Sequence, residues 1–213
     1  MSKRDFLATT IALAAAAAAT PALSLAQTKL TEGKDYRMVT PPQRTSAPDG
    51  KIEVIEFFWI ACPHCRSLEP VILDWQKKLP ADVYFRKVHV NFRVPAHQQL
   101  YYTLVALKQD EKLIHKVFEE IHDKKSRMNK PDEIFAWAAE QGLDAKQFEQ
   151  TYGSFGVRTA MRRASQEVKA YGVDGVPALA INGKYYTAPS MTGSNGSVMQ
   201  AVDALIERER KGG

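Results

Sequence analysis

The chain's two cysteines lie three residues apart, in the sequence Cys62-Pro63-His64-Cys65. Such a pair suits three kinds of chemistry: half of a zinc site, a local structural disulfide, or a reversible dithiol centre. Zinc needs two further ligands, and a disulfide that closes so short a loop constrains the unfolded chain very little. The pair is therefore interpreted first as a redox centre, and a metal site is kept as an alternative.

The residues between the cysteines predict that the two sulfurs behave differently. Proline favours the first position of a helix, so a helix that begins at Pro63 has Cys62 as its N-cap. The Cys62 sulfur then faces unpaired backbone donors and the positive end of the helix dipole, and a protonated His64 adds a positive charge. Cys65 lies one turn inward and is expected to be the less accessible, resolving thiol. Because a stabilised thiolate favours the reduced form, the disulfide is expected to be a strong oxidant.

The chain has five histidines that could complete a metal site, but their positions do not favour one. His115 and His122 are seven residues apart on one predicted helix face, among Lys and Glu residues typical of an exposed surface. Neither is expected to bind zinc with the cysteines. The five are His64, His89, His97, His115 and His122.

Hydrophobic periodicity predicts the order β, β-α-β, a block of helices, then β-β-α. "KIEVIEFF" (51–58) is typical of a central strand covered on both faces, and "DVYFRKVHV" (82–90) is a second strand parallel to it. A helix between them is expected to start at Pro63 and end at Pro80. "PALAINGKYY" (177–186) predicts a hairpin that turns at Asn182-Gly183.

This order indicates one α/β domain with a helical insertion, since neither sheet fragment could close a core alone. We expect an α/β domain formed by residues 27–96 and 173–213, and an inserted helical domain formed by residues 97–172.

The first 26 residues have the features of a secretory signal peptide. Lys3 and Arg4 precede an alanine-rich apolar run, and small residues end at Ala26, where cleavage is expected. This leader predicts export to an oxidising exterior compartment, where disulfides persist. The net charge of +5 in 213 residues is dispersed, so no nucleic-acid partner is expected.

Two charged residues fall on strand positions that should face the protein interior. Glu56 shares a strand face with Val54 and Phe58, and Lys87 is in line with Val83 and Phe85. A buried acid is costly unless it is paired or functional. The sequence leaves two readings open: a buried pair, or two edge charges that reach water.

Three segments together resemble the DsbA-type thiol:disulfide oxidoreductases of the thioredoxin superfamily. They are "EFFWIACPHC" after a strand, "KVHVNF" on the next strand, and "GVPALAINGKYY" after the helical block. The resemblance implies a thioredoxin fold with an inserted helical domain. It also implies an enzyme that donates its own disulfide to folding exported proteins with free thiols and is reoxidised by a membrane DsbB-like, quinone-linked oxidase. No cofactor other than the Cys62-Cys65 disulfide is expected, and the protein is expected to be a monomer.

The same resemblance assigns roles to individual residues. Cys62 is expected to be the exposed nucleophile and Cys65 the resolving thiol, with Pro63 and His64 tuning the pair. Pro177 matches the family's cis-proline, which faces the active site after Val176 and exposes backbone to an extended substrate. Glu56 and Lys87 match a buried pair that moves protons to and from Cys65, and Glu69 matches another acid of the family.

Two other functions remain open from the residues. The first is a disulfide isomerase or reductase of the same fold, which works from the reduced state. The second is a non-catalytic metal-binding module. Equilibration against glutathione separates the oxidase from the reductase.

Overall fold

The computed structural model describes residues 29–212, and the predicted signal peptide (1–26) lies outside this range. Within residues 29–212 there are one five-stranded sheet and eight helices. The strands are β1 (Arg37–Met38), β2 (Ile52–Phe58), β3 (Val83–His89), β4 (Ala178–Ile181) and β5 (Tyr185–Thr187). The helices are α1 (Pro63–Gln76), α2 (Pro95–Ala106), α3 (Asp110–His122), α4 (Pro131–Glu140), α5 (Ala145–Tyr152), α6 (Phe155–Ala170), α7 (Pro189–Thr192) and α8 (Asn195–Arg210).

The sheet has the order β1-β5-β4-β2-β3. Strand β2 is parallel to β3 and antiparallel to β4, while β5 is antiparallel to both β4 and β1. All but the first residue of β2 are buried, as its near-continuous apolar sequence predicts for a strand covered on both faces. The predicted α/β fold, with a parallel β-α-β unit and a terminal β-β-α unit, is confirmed.

Helices cover both faces of the sheet. On one face, Val54 of β2 packs in a core cluster with Leu68 of α1 and Val202 of α8. On the other, Phe57 of β2 belongs to a larger cluster that takes in apolar residues of α2 to α6. The helices between β3 and β4 thus bury their apolar faces against one another and against the sheet. The division at residues 97 and 172 into two domains stays a prediction.

Three local features refine the predicted elements. Helix α1 contains Pro70 and ends at Gln76, four residues before Pro80. The expected end at Pro80 was wrong. After Gln76 the backbone hydrogen bonds span three residues instead of four, as from Leu79 N–H to the Gln76 carbonyl, so the α-helix ends before the proline. The short α7 was not predicted, since four residues are too few for a helical period.

The hairpin between β4 and β5 turns at Asn182 and Gly183, as predicted. Both residues have positive φ, 49° and 69°, which a type I′ turn requires. A side chain at Gly183 would also collide with the backbone carbonyl of Gln43. Glycine is therefore required there for two separate reasons.

No helix within residues 29–212 combines the length and the apolar character needed to cross a lipid bilayer.

Candidate active site

The first cysteine is the N-cap of α1, as predicted. Cys62 has extended backbone angles (φ −86°, ψ 121°), and Pro63 occupies the first helical position. The Cys62 carbonyl accepts the first helical hydrogen bond, from Arg66 N–H at 3.0 Å, and Cys62 N–H donates to the Trp59 carbonyl at 2.9 Å. The sulfur is therefore placed at the end of the helix where backbone N–H groups are free to meet an anion.

The two sulfurs have opposite electrostatic environments. A hydrogen bond from the Cys65 thiol is the largest cause that lowers the pKa of Cys62, to about 6. The backbone N–H groups of Cys65 and His64 and the charge of His64 act in the same direction, while burial opposes them. Burial raises the pKa of Cys65, and the nearby Glu56 raises it further. At neutral pH the reduced pair therefore has one thiolate, on Cys62, and one thiol, on Cys65.

The exposure of the two cysteines follows the predicted order but not the predicted degree. Cys65 is fully buried, whereas Cys62 is 8% exposed. Cys62 is therefore less open than an exposed nucleophile was expected to be. The reason is a loop before β4: its Val176 carbonyl oxygen lies 3.4 Å from the Cys62 sulfur and accepts a hydrogen bond from it when the thiol is protonated.

The same loop contains the proline that the sequence resemblance singled out. The Val176–Pro177 peptide bond is cis, as that resemblance implies, and Pro177 is buried immediately before β4. Val176 is half-buried beside the sulfur. The sequence-predicted residues Cys62, Val176 and Pro177 are thus brought together from positions more than 110 residues apart.

A buried charged cluster, formed by Glu56, Glu69 and Lys87, lies beneath the cysteines. Glu56 of β2 and Lys87 of β3 are directly paired in the sheet register. The Lys87 ammonium nitrogen lies 3.0 Å from Glu56 Oε2 and also contacts Glu69 Oε2 from α1. The two glutamate side chains are 0% and 1% exposed, and the lysine side chain is 10% exposed. The reading of Glu56 and Lys87 as edge charges that reach water is therefore wrong.

This charged cluster has two carboxyl groups and a single ammonium. Burial raises the pKa of Glu56 to about 7 against the opposing attraction of Lys87. For Lys87, burial alone would lower the pKa, but the two carboxylates outweigh burial and raise it. Within the described residues, both Glu56 oxygens and Glu69 Oε1 lack a hydrogen bond of normal geometry. Glu56 can therefore gain or lose a proton near neutral pH, close to Cys65.

His122 does not lie on an open surface, as its neighbours in the sequence suggested. It is the last residue of α3, and its ring stacks on Phe118. Its Nε2–H donates to the Ile60 carbonyl at 2.9 Å, two residues before Cys62. The prediction failed because His122 is at the end of the helix that meets the active-site loop, and helical periodicity alone does not show this.

Sequence reasoning also missed His89 and His97 as neighbours of the site. His89 is fully buried and accepts a hydrogen bond from Ile60 N–H, and His97 accepts one from the Trp59 indole. A histidine within the otherwise apolar end of a strand, as in "KVHV", was the one available signal. Across the described residues, no three His, Cys, Asp or Glu side chains are grouped in a way that could hold a metal ion.

Comparison with known proteins identifies the family. The DSBA-like thioredoxin domain matches residues 94–204 of the chain. The thiol:disulfide interchange protein DsbA of Bordetella parapertussis is 41% identical over 202 residues, covering 93% of this chain and 96% of that protein. The chain belongs to the DsbA family. The DsbA of Pseudomonas aeruginosa is 38% identical over 182 residues, covering 84% of this chain and 86% of that protein.

Solved structures of DsbA proteins have the same fold. The crystal structure of Pseudomonas aeruginosa DsbA matches with a TM-score of 0.82 at 37% identity, over 86% of this chain and 96% of that one. Reduced DsbA1 from Neisseria meningitidis matches with a TM-score of 0.75 at 26% identity, over 86% of this chain and 97% of that one. The chain is accordingly a thiol:disulfide oxidoreductase with the DsbA form of the thioredoxin fold.

The lowered pKa of Cys62 predicts how the reduction potential of this DsbA-family protein depends on pH. The thiolate stabilises the reduced form fully above the ordinary thiol pKa of about 8.5, and this contribution is lost as the pH falls through about 6. Reduction therefore takes up two protons below pH 6 and one above it. We expect the potential to fall by about 59 mV per pH unit below pH 6 and by about 30 mV per pH unit from there to pH 8.

The potential can be measured by equilibration with glutathione buffers from pH 4.5 to 8. Ultraviolet absorbance of the thiolate gives the pKa of Cys62 independently. A single slope of about 59 mV per pH unit over the whole range would mean that Cys62 keeps its proton, contrary to the predicted thiolate.

Proposed function

We propose that this DsbA-family protein is a dithiol oxidase that donates the Cys62-Cys65 disulfide to folding exported proteins. The observation that carries the proposal is the asymmetry of the two sulfurs: Cys62 has a lowered pKa at a helix N-terminus, and Cys65 is fully buried with a raised pKa. A stabilised Cys62 thiolate is a good leaving group and favours the reduced protein. Both properties favour transfer of the disulfide to a substrate.

The proposed reaction has two displacement steps. A substrate thiolate attacks Cys62 Sγ of the oxidised protein, so a substrate–Cys62 disulfide forms and the Cys62-Cys65 bond breaks. Cys65 leaves as a thiolate and takes up a proton, as its raised pKa requires. A second substrate thiolate then attacks the substrate sulfur and releases Cys62 as a thiolate. The substrate loses two electrons and two protons. The protein gains both electrons, Cys65 binds one proton, and the other proton goes to solvent because Cys62 stays a thiolate.

We propose that the buried charged cluster handles the proton of Cys65. Glu56 is close enough to raise the pKa of Cys65 through its charge, and its own pKa is raised to about 7. A protonated Glu56 can give a proton to Cys65 when that sulfur leaves. It can take a proton back when the protein is reoxidised. Lys87 keeps Glu56 from being permanently protonated, and Glu69 shares the ammonium.

The loop at Val176 and Pro177 is the proposed contact for the substrate backbone. The Val176 carbonyl lies next to the Cys62 sulfur, so it faces the place where a mixed disulfide would form. An extended substrate segment that pairs with this loop would bring its cysteine to Cys62. Pro63 and His64, which follow Cys62 in the chain, are exposed.

The cellular setting is part of the proposal. Residues 1–26 direct export, with cleavage near Ala26, to the periplasm. A membrane DsbB-like oxidase linked to quinones removes the two electrons and restores the disulfide. The protein acts as a monomer with no cofactor other than its own disulfide and no nucleic-acid partner. Residues 97–172 form a helical domain inserted in the thioredoxin-like domain of residues 27–96 and 173–213.

Equilibration of the protein with glutathione tests the proposed direction of electron flow. We expect an equilibrium constant at least ~10³-fold more oxidising than that of the thioredoxin couple, which lies near −270 mV. The redox state can be read from alkylated samples by mass spectrometry after acid quenching. A potential in the thioredoxin range would contradict the oxidase and favour a reductase or isomerase.

A further inference from the structure

The active-site loop before Cys62 contains buried backbone groups that no regular secondary structure pairs. Strand β2 ends at Phe58 and α1 begins at Pro63, so Ile60 lies outside both elements. Ile60 is nevertheless fully buried. Buried backbone N–H and C=O groups need partners, and here neither the sheet nor the helix supplies them.

Histidine side chains bond both backbone groups of Ile60. His89, at the end of β3, accepts from Ile60 N–H through Nε2 at 3.3 Å. Its Nδ1 lies 2.8 Å from the Val90 carbonyl, which can only accept, so Nδ1 carries the proton and Nε2 is free to accept. His122, at the end of α3, donates Nε2–H to the Ile60 carbonyl at 2.9 Å.

A third histidine, His97, forms a hydrogen bond with Trp59, the residue before Ile60. The Trp59 indole N–H donates to Nδ1 of His97, in the first turn of α2, at 3.0 Å. Nε2–H of the same ring donates to the carbonyl of Arg127, at 2.9 Å, in the segment between α3 and α4. Both His89 and His97 must be neutral to accept these hydrogen bonds, and burial lowers the pKa of each.

We propose that His89, His97 and His122 are positioning residues that fix the loop Trp59-Ile60-Ala61 and thereby hold Cys62 in its N-cap position. We call them the histidine cluster. They come from three different elements and meet at two consecutive residues of the loop. The proposal rests on the proposed role of Cys62 as the nucleophile, and it adds the residues that keep that sulfur in place.

The position of the loop matters chemically because the loop leads directly into the reactive cysteine. Only Ala61 separates Ile60 from Cys62, and Cys62 N–H is itself bonded to the Trp59 carbonyl. The thiolate is stabilised while Sγ stays within reach of the Cys65 thiol and of the N–H groups of His64 and Cys65. In the oxidised protein the sulfur carries no charge, so this placement stabilises the reduced form alone. A loosened loop should therefore raise the pKa of Cys62 and weaken the oxidant.

The test uses the full-length mature protein with His97→Leu and His122→Leu, each of which removes one hydrogen bond to the loop. Two quantities are measured: the pKa of Cys62 from thiolate absorbance, and the equilibrium constant with glutathione. We expect each variant to be about two- to tenfold less oxidising at pH 8, because a rise of up to about one unit in the pKa of Cys62 changes the redox equilibrium by up to about tenfold. The pKa of Cys62 should rise in the same variants. A general loss of stability would affect both redox forms and leave the equilibrium constant unchanged.

Matched variants make the result specific. His97→Gln and His122→Gln keep a donor and an acceptor and should recover most of the wild-type equilibrium constant. His115→Leu, on the same helix as His122 but seven residues earlier, should not change it. Folded leucine variants that keep the wild-type pKa and equilibrium constant would overturn the proposal, as would an equal shift in His115→Leu.

A second variant covers the case in which a leucine variant does not fold. Trp59→Phe keeps an aromatic ring and removes the donor of the Trp59–His97 hydrogen bond, so it should shift the equilibrium constant as His97→Leu does. The double variant Trp59→Phe/His97→Leu should have the same equilibrium constant as either single variant. If the two shifts add, the assignment of the Trp59–His97 hydrogen bond is overturned. The wild-type potential separately tests the oxidase function. If it is thioredoxin-like, the oxidase proposal fails, but the ratio of variant to wild type still tests the histidine cluster.

Discussion

Cys62→Ala is expected to abolish oxidation of substrate dithiols, lowering the rate by at least ~10³-fold to the uncatalysed level. The variant cannot form the Cys62-Cys65 disulfide, and the sulfur that remains is fully buried with a raised pKa. A thiol with these properties is a poor nucleophile because little of it is ionised. The rate can be followed with a fluorescent peptide that contains two cysteines and changes emission when it cyclises.

Cys65→Ala separates the roles of the two cysteines. This variant keeps the Cys62 thiolate, which can attack a disulfide-containing peptide and form a peptide–Cys62 disulfide. Without Cys65 that mixed disulfide is not resolved within the protein, so it should accumulate and be visible by mass spectrometry. Equally fast formation of a mixed disulfide on Cys65 in the Cys62→Ala variant would reverse the assigned roles.

The second large effect concerns the buried charged cluster. Lys87→Met is expected to destabilise the reduced protein by about 3 to 5 kcal/mol at pH 8, because it removes an ammonium that contacts both Glu56 and Glu69. Methionine has a similar length, so the loss of packing should be small. The free energy of unfolding can be measured by urea denaturation of the reduced protein.

The stability lost in Lys87→Met is expected to depend on pH, and the ionisation of Glu56 determines whether the loss grows or shrinks as the pH rises. Without Lys87, the Glu56 carboxyl group loses the attraction that opposes burial, so its folded-state pKa should rise further above that of the unfolded chain. The folded variant then binds more protons than the unfolded one, and its stability falls as the pH rises. We therefore expect the deficit to be smaller at pH 5 than at pH 8.

Two further variants control for other causes. Lys77→Met, at an exposed lysine paired with Asp74, should leave the free energy of unfolding unchanged. Adding Glu56→Gln to Lys87→Met removes one of the two unpaired carboxylates, so it should restore part of the lost stability. A deficit that is the same at pH 5 and pH 8 would mean that packing, rather than unpaired charge, explains the effect.

The sequence predicted those parts of the site that depend on neighbours along the chain. The position of Cys62 as N-cap followed from Pro63, because the first helical position favours proline. Strand alternation placed Glu56 and Lys87 on the same strand faces as apolar residues, but it left open whether the two are a buried pair or reach water. The cis state of Pro177 was implied by the resemblance to the family and not by local rules.

Contacts between distant elements were not predictable in this way. The pairing of Glu56 with Lys87 depends on the register of β2 and β3, and the approach of Glu69 depends on how α1 is rotated above the sheet. His122 was assigned to the surface because helical periodicity shows which residues share a face, but not what the end of the helix meets. The cover of Cys62 by Val176 likewise depends on how β4 inserts next to β2.

The separation of Cys62 from Val176 has a consequence for how the protein is made. The sulfur and the carbonyl that covers it are 114 residues apart in the chain. At a synthesis rate of about 5 to 20 residues per second, roughly 6 to 23 s pass between the appearance of the two. For nearly all of that interval, the part of the chain already made contains both cysteines and lacks the loop that will cover Cys62. An enzyme proposed to oxidise newly made proteins is thus, for several seconds, a newly made protein with uncovered thiols of its own.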